Sequence, residues 1–221
     1  MISKQRVFDL IKAKEYEKLE RELVGKKITG LSDSEESFDG EEITTPLIAA
    51  AIRNDERAVL ILLNHGEDPN DQRGYGSPLD CAASNRSASM LKLLLDRGAS
   101  YSRSTVGPRT VITSLLKAKY EWHEPEGIAV KRNACIDVLV AAGLLREFLK
   151  DVKLDRYVPY TAIIKLIEVG FEYWRYPYFM GVVECYPKKY VTAIFNAVTK
   201  RETLAFKAYN RFVDNLYIEQ R

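Results

Sequence analysis

The stretch TTPLIAAAIRNDERAVLILLNHGEDPNDQ, Thr44 to Gln72, is followed by SPLDCAASNRSASMLKLLLDRGASYSR, Ser77 to Arg103. Aligned on Thr45-Pro46-Leu47 and Ser77-Pro78-Leu79, the two copies are offset by 32 residues. The same offset joins Ala50-Ala51 to Ala82-Ala83, Leu62-Leu63 to Leu94-Leu95, and Gly66 to Gly98. Each copy opens with a hydroxyl residue and Pro, a pair suited to a helix start. The hydroxyl caps orphan N–H groups and Pro tolerates the first turn. The Ala pairs are small enough to let a second helix approach closely. Val59–Leu63 and Met90–Leu95 carry apolar residues around most of a helix, so Leu62, Leu63, Leu94 and Leu95 are all expected in the core. Gly66 and Gly98 fall where a helix C-terminus needs a left-handed residue. The pattern predicts a helix, a tight turn, a second helix and an extended link, and such units bury their apolar faces only by stacking.

These residues resemble the ankyrin repeat, a unit of about 33 residues that opens T-P-L-H-x-A. Neither copy carries the family's histidine. Ile48 and Asp80 stand in its place, a departure that bears on the hydrogen bonds tying one repeat to the next and not on the fold. The resemblance implies an all-α, ankyrin-type helical-repeat solenoid. Weaker copies extend it. Val7–Val24 has helical periodicity and reads as a degenerate first repeat within 1–30. Residues 31–43 form an acidic loop, centred on LSDSEESFDGEE, which holds no base. Repeats then occupy 44–76, 77–109 and 110–143. The last opens at Thr110 on schedule, but its second-helix motif CIDVLVAAG, Cys135 to Gly143, arrives late. The extra length, 118–133, is expected to lengthen the first helix or to project as a loop. Residues 144–221 hold a further degenerate copy ending at Gly170 and an aromatic-rich helical C-terminal extension. Its last two helices are expected at Lys188–Lys200 and Glu202–Tyr217, separated near Lys200-Arg201.

Composition sets the class of function. The chain has 221 residues, is 46% hydrophobic and 29% charged, and carries 33 Lys plus Arg against 31 Asp plus Glu. That is enough apolar material for a sizeable core. A formal net charge of +2 gives no general case for nucleic-acid or membrane-surface binding. No apolar run approaches the roughly 20 residues of a bilayer span. The opening MISKQRVFDL lacks the apolar core of a secretory signal. The three cysteines, Cys81, Cys135 and Cys185, are scattered and show no metal-ligand spacing. A cytoplasmic location is expected, or export without a cleaved signal peptide.

Catalytic candidates are few. Cys81 and Cys135 read as small core residues, and Cys185 has no surrounding Cys/His signature. His65 precedes the Gly of its helix end. His123, beside Glu124 and Glu126, has a spacing that fits no helix face and too few soft ligands for structural zinc. Gly74–Pro78 reads as a link and not as a phosphate loop. The aromatics of Phe171–Phe179 lack the Lys and Arg density of a single-strand nucleic-acid groove. No catalytic residue, metal or cofactor is therefore expected.

Surface recognition remains. The resemblance implies protein binding through the links between repeats and the outward side of each first helix. Carried over position by position, the contact residues would be Ile52, Arg53, Gln72, Arg73 and Tyr75 from one repeat. Ser84, Asn85, Ser104, Val106, Arg109 and Lys117 follow. Trp122 joins them as an aromatic anchor on the insertion. Arg73, Tyr75 and Arg109 are residue types enriched at interface hot spots. The expected function is a non-catalytic module, monomeric before binding, for one dedicated protein partner. It would mask or inhibit that partner as an immunity protein does. The alternatives are a secreted effector that captures a host protein, and an enzyme with its active site in the C-terminal region.

Overall fold

The computed structural model describes residues 1–29, 45–72, 76–101, 111–116, 125–144, 158–175 and 179–218. The chain divides into two compact units, Met1–Leu115 with Val130–Val152, and Leu116–Ala129 with Lys153–Arg221.

In the first unit, helices α1 (Lys4–Lys12), α2 (Tyr16–Leu23), α3 (Pro46–Ile52), α4 (Glu56–Asn64), α5 (Pro78–Ser84) and α6 (Ala88–Asp96) form three helix pairs. The first helices stack α1 on α3 on α5, and the second helices stack α2 on α4 on α6. Local chemistry starts each element where the sequence places it. Thr45 accepts from the Ile48 N–H at 3.3 Å, and Ser77 from the Asp80 N–H at 3.2 Å. Pro follows each in the first turn. Ala49, Ala50, Ala51, Ala82 and Ala83 are all fully buried, so α3 and α5 meet over methyl groups.

The helix ends repeat a bonding pattern. Gly66, Gly98 and Gly143 have φ of 90°, 88° and 76°. Behind each, the next N–H reaches back five residues: Glu67 to the Leu62 carbonyl, Ala99 to Leu94, Leu144 to Leu139. This is the Schellman closure. The tight turn inside each pair uses the same closure with a side-chain-bearing residue. Lys14, Asn54 and Arg86 have φ of 55°, 56° and 53°, and the following N–H groups of Glu15, Asp55 and Ser87 bond the carbonyls of Leu10, Ala50 and Ala82. The eroded first repeat is thus a full helix–turn–helix.

Three expectations need correction. Leu62 and Leu94 are fully buried, but Leu63 and Leu95 are half-buried. Adjacent helical residues point about 100° apart, so only one of each pair faces the neighbouring helix. The late third motif belongs to α8 (Glu126–Ala141), a 16-residue helix. Residues 126–133 are its first two turns, so this part of the insertion lengthens the second helix and not the first, α7 (Val111–Leu116). A two-residue parallel pair, β1 (Ile2–Ser3) and β2 (Ile28–Thr29), also escaped the reading.

In the second unit, α9 (Tyr160–Val169) and α10 (Phe179–Glu184) each pack on α11 (Lys188–Ile218). Gly170 closes α9 at φ 118°. The third correction is here: α11 runs unbroken through Lys200-Arg201. No Gly or Pro lies between Lys188 and Ile218. The Thr199 and Thr203 hydroxyls bond carbonyls four residues back, so they sit inside the helix without interrupting it. Tertiary bonds hold the junction: Arg201 donates to the Phe171 carbonyl at 2.6 Å, and the Tyr173 hydroxyl bonds Glu202. Burial, aided by Glu202, pushes that hydroxyl up to about 12. Among the described residues, no helix is long and apolar enough to cross a membrane.

Candidate protein-binding surface

The contact residues expected at the ends of the first helices come together. Ile52 ends α3, Arg53 caps it, Ser84 ends α5 and Asn85 caps that helix in turn. Arg53, Ser84 and Asn85 are exposed, and Ile52 is half-buried. The α3–α5 packing sets the residues side by side, and Asn85 fastens them. Its amide donates to the carbonyls of Ala51 and Ile52, both at 2.9 Å. Asn85 therefore spends its donors on the previous repeat, which the sequence reading did not foresee. Gln72 lies half-buried in the link after α4. Arg73, Tyr75, Ser104, Val106, Arg109, Lys117 and Trp122 lie outside the described residues.

The links carry a second clamp that was not anticipated. Asn70 donates to the Gly98 carbonyl at 3.1 Å, and its Oδ1 accepts from the Ser100 N–H at 2.7 Å and the Ser100 hydroxyl at 2.9 Å. On the second helices, Arg97 donates to Asn64 at 2.7 Å and Ser89 bonds Glu56. These partners lie 28 to 33 residues apart. The signal was a polar residue recurring near the repeat length, visible only once the offset is taken as a contact distance.

Helix stacking at one repeat length, the doubled Schellman closures and the Thr/Ser–Pro openings are the marks of one family. Residues 13–105 are ankyrin repeats. The match to that family, in three copies, spans this range and begins inside the first helix pair. An ankyrin repeat protein of fowlpox virus (strain NVSL) is 32% identical over 72 residues, a stretch covering 33% of this chain and 16% of that protein. Ankyrin repeats serve generally as protein–protein interaction modules, and the family is generally non-catalytic.

Within the ankyrin array, Asp80 takes over the position of the family's histidine. Its Oδ2 accepts from the Ser77 N–H and hydroxyl, both at 2.9 Å. Burial raises its pKa, opposed by those two bonds and by the backbone N–H of Val111 at the start of α7. The carboxylate thus fastens the start of its own repeat. Arg132 is wholly buried. Burial, followed by the like charge of Arg86, lowers its pKa to about 10.

The cysteines separate by environment. Cys135 is wholly buried, and burial pushes its thiol up to about 12. Cys81 is buried beside the Ala pair, and Cys185 is exposed with its thiol donating to the Gly181 carbonyl at 3.2 Å. His65 caps α4. His123 and Glu124 lie outside the described residues. Among the described residues, no three or more His, Cys, Asp and Glu side chains gather as a metal ion would require.

One surface feature went unnoticed in the sequence. An open groove of about 370 Å³ is lined by Lys14, Glu15, Tyr16, Glu17, Lys18, Arg21 and Arg57. The Tyr16 hydroxyl donates to Asp55 Oδ2 at 3.0 Å, and the Arg57 guanidinium lies over the Tyr16 ring at 4.7 Å. Burial, then the Asp55 carboxylate, raises the Tyr16 pKa. Arg57 follows Tyr16 by 41 positions in the chain, so no local motif announced the pair.

Proposed function

We propose that this chain is a non-catalytic protein-binding module that holds one dedicated protein partner and masks it, in the manner of an immunity protein. The observation that carries this reading is the joining of α3 and α5 through Asn85, which holds Ile52, Arg53 and Ser84 in one arrangement before any partner arrives. A contact set ordered in advance loses less side-chain entropy on binding. On this reading Gln72, Arg73 and Tyr75 extend the surface along one link. Ser104, Val106 and Arg109 extend it along the next, with Lys117 and Trp122 at its far end. Residues 110–143 act as a further repeat, and 144–221 as its helical extension. The module works as a monomer in the cytoplasm until its partner binds. An exported effector that captures a host protein would use the same face, and the compartment of the partner separates the two.

The test is capture from the native source with the full chain as bait, followed by mass spectrometry. The triple variant Arg53→Ala, Tyr75→Ala, Arg109→Ala should keep the helical circular dichroism and lose the partner at least tenfold. Undiminished recovery by the triple variant overturns the proposed face. Masking requires that the captured partner's own activity fall on binding and return with the triple variant. Activity unchanged by binding overturns that part.

A further inference from the structure

We propose that the groove between the turn of the first repeat and α4 is a second docking site, and that its occupant is an acidic peptide segment of a protein partner. It rests on the protein-binding reading for the class of partner, but it uses none of the contact residues named above.

The charges of the groove carry the choice. Four cations line it, Lys14, Lys18, Arg21 and Arg57, against two carboxylates, Glu15 and Glu17. Lys18 and Glu15 neutralise each other across 3.0 Å. Among the described residues, what remains in the lining is Lys14, Arg21 and Arg57 facing one carboxylate, all of them exposed. Arg21 gives its Nε to the Glu17 carbonyl at 3.3 Å, which holds the guanidinium at the rim. Arg57 lies on the Tyr16 ring, and Tyr16 is anchored by Asp55. Asp55 is itself held as the cap of α4, accepting from the Ala58 N–H at 3.1 Å. The Arg57–Tyr16 pair is therefore positioned before any ligand arrives. A planar guanidinium held in this way matches a carboxylate in two parallel hydrogen bonds. Tyr and Arg are also the residue types that dominate interface energies.

The same charges argue against other anions. Nucleic acid calls for a run of cations tracking successive phosphates, and this groove offers three uncompensated ones in a chain of net charge +2. The polar lining has no apolar face for a lipid surface.

The experiment uses the full chain and a fluorescein-labelled octapeptide, Ser-Glu-Glu-Ser-Asp-Glu-Glu-Ser, followed by fluorescence anisotropy at low salt. Saturable binding is expected. It should weaken at least tenfold in the double variant Lys14→Gln, Arg57→Gln, and should weaken as ionic strength rises from about 0.05 to about 0.3 M. Lys92→Gln, on the exposed side of α6, should bind as the parent does. The triple variant of the contact face should also bind the peptide normally, so loss of that face and loss of this groove are read separately. Both groove substitutions are at exposed positions, and unchanged circular dichroism and thermal midpoint check the fold. Absence of saturable binding, or equal binding by the double variant, overturns the proposal. So does displacement by inorganic phosphate or a short oligonucleotide at lower concentration than by unlabelled peptide.

Discussion

The side-chain amide of Asn85 donates to the carbonyl of Ile52 at 2.9 Å, so the residue that caps the first helix of one repeat also bonds the end of the same helix in the repeat before it. A second bond from the same nitrogen reaches Ala51. One exposed side chain thus reaches two carbonyls of the last turn of α3, of which that of Ala51 also accepts from the Asn54 N–H at 3.0 Å. It also links the two repeats through groups that any sequence would supply.

Replacing Asn85 with Ala removes both bonds. Each is worth about 0.5–1.5 kcal/mol net, and the Ala51 carbonyl keeps the Asn54 N–H as a partner. We expect a loss of about 1–2 kcal/mol, seen as a lower urea midpoint at constant m-value. Stability unchanged within error would show that the clamp contributes nothing.

Leu94 and Leu95 separate packing from mere hydrophobicity. Leu94 is fully buried, and Leu94→Ala should cost about 2–5 kcal/mol. Leu95 is half-buried and already partly in water, so Leu95→Ala should cost clearly less. Chemical denaturation of the two variants side by side decides it. Equal losses would contradict the placement of the two residues.

Gly76 and Gly98 make a similar pair. Both have positive φ, 101° and 88°. A methyl on Gly98 meets nothing within 4 Å, whereas one on Gly76 would sit 2.9 Å from Asp80 Oδ2. Gly98→Ala should cost the left-handed penalty of about 1–2 kcal/mol. Gly76→Ala should cost more, because the Asp80 oxygen it strikes is held by Ser77. Thermal unfolding should rank Gly76→Ala below Gly98→Ala.

Asp80 has a signed pH dependence. Burial raises its pKa in the folded chain. Between the ordinary aspartate value and the raised one, the folded state binds more protons than the unfolded state. The Asp80 contribution to stability therefore falls as pH rises through that window. Asp80→Asn should remove this slope, so the stability difference, variant minus parent, should increase with pH there. A difference that stays flat or decreases would refute the assignment. Urea unfolding across the acid range measures it.

The parts of the fold legible in the sequence are those whose causes lie within one turn of helix. Thr45 and Ser77 cap the helices they precede, Gly66 and Gly98 take the left-handed positions, and Leu62 and Leu94 face inward. Lys14, Asn54 and Arg86 occupy equally left-handed positions without the glycine that would mark them. Their conformation is held by the closing hydrogen bonds and the packing of the two helices on either side. The break expected near Lys200-Arg201 failed for a related reason: polar residues end a helix only when something competes for its backbone, and here the Phe171 carbonyl and the Tyr173 hydroxyl hold the side chains of Arg201 and Glu202.

The same division runs through the candidate surfaces. Sequence alone determined the repeat length, the helix starts and stops of the two clear repeats, and the alternation of helices that makes an ankyrin array. These follow from capping, backbone freedom and apolar periodicity, which act between residues a few positions apart. Only the tertiary structure decided that Asn85 and Asn70 serve the neighbouring repeats, and that Arg57 comes to rest on Tyr16. Those contacts join residues about one repeat or more apart, and they form only after stacking has brought separate helices to hydrogen-bonding distance.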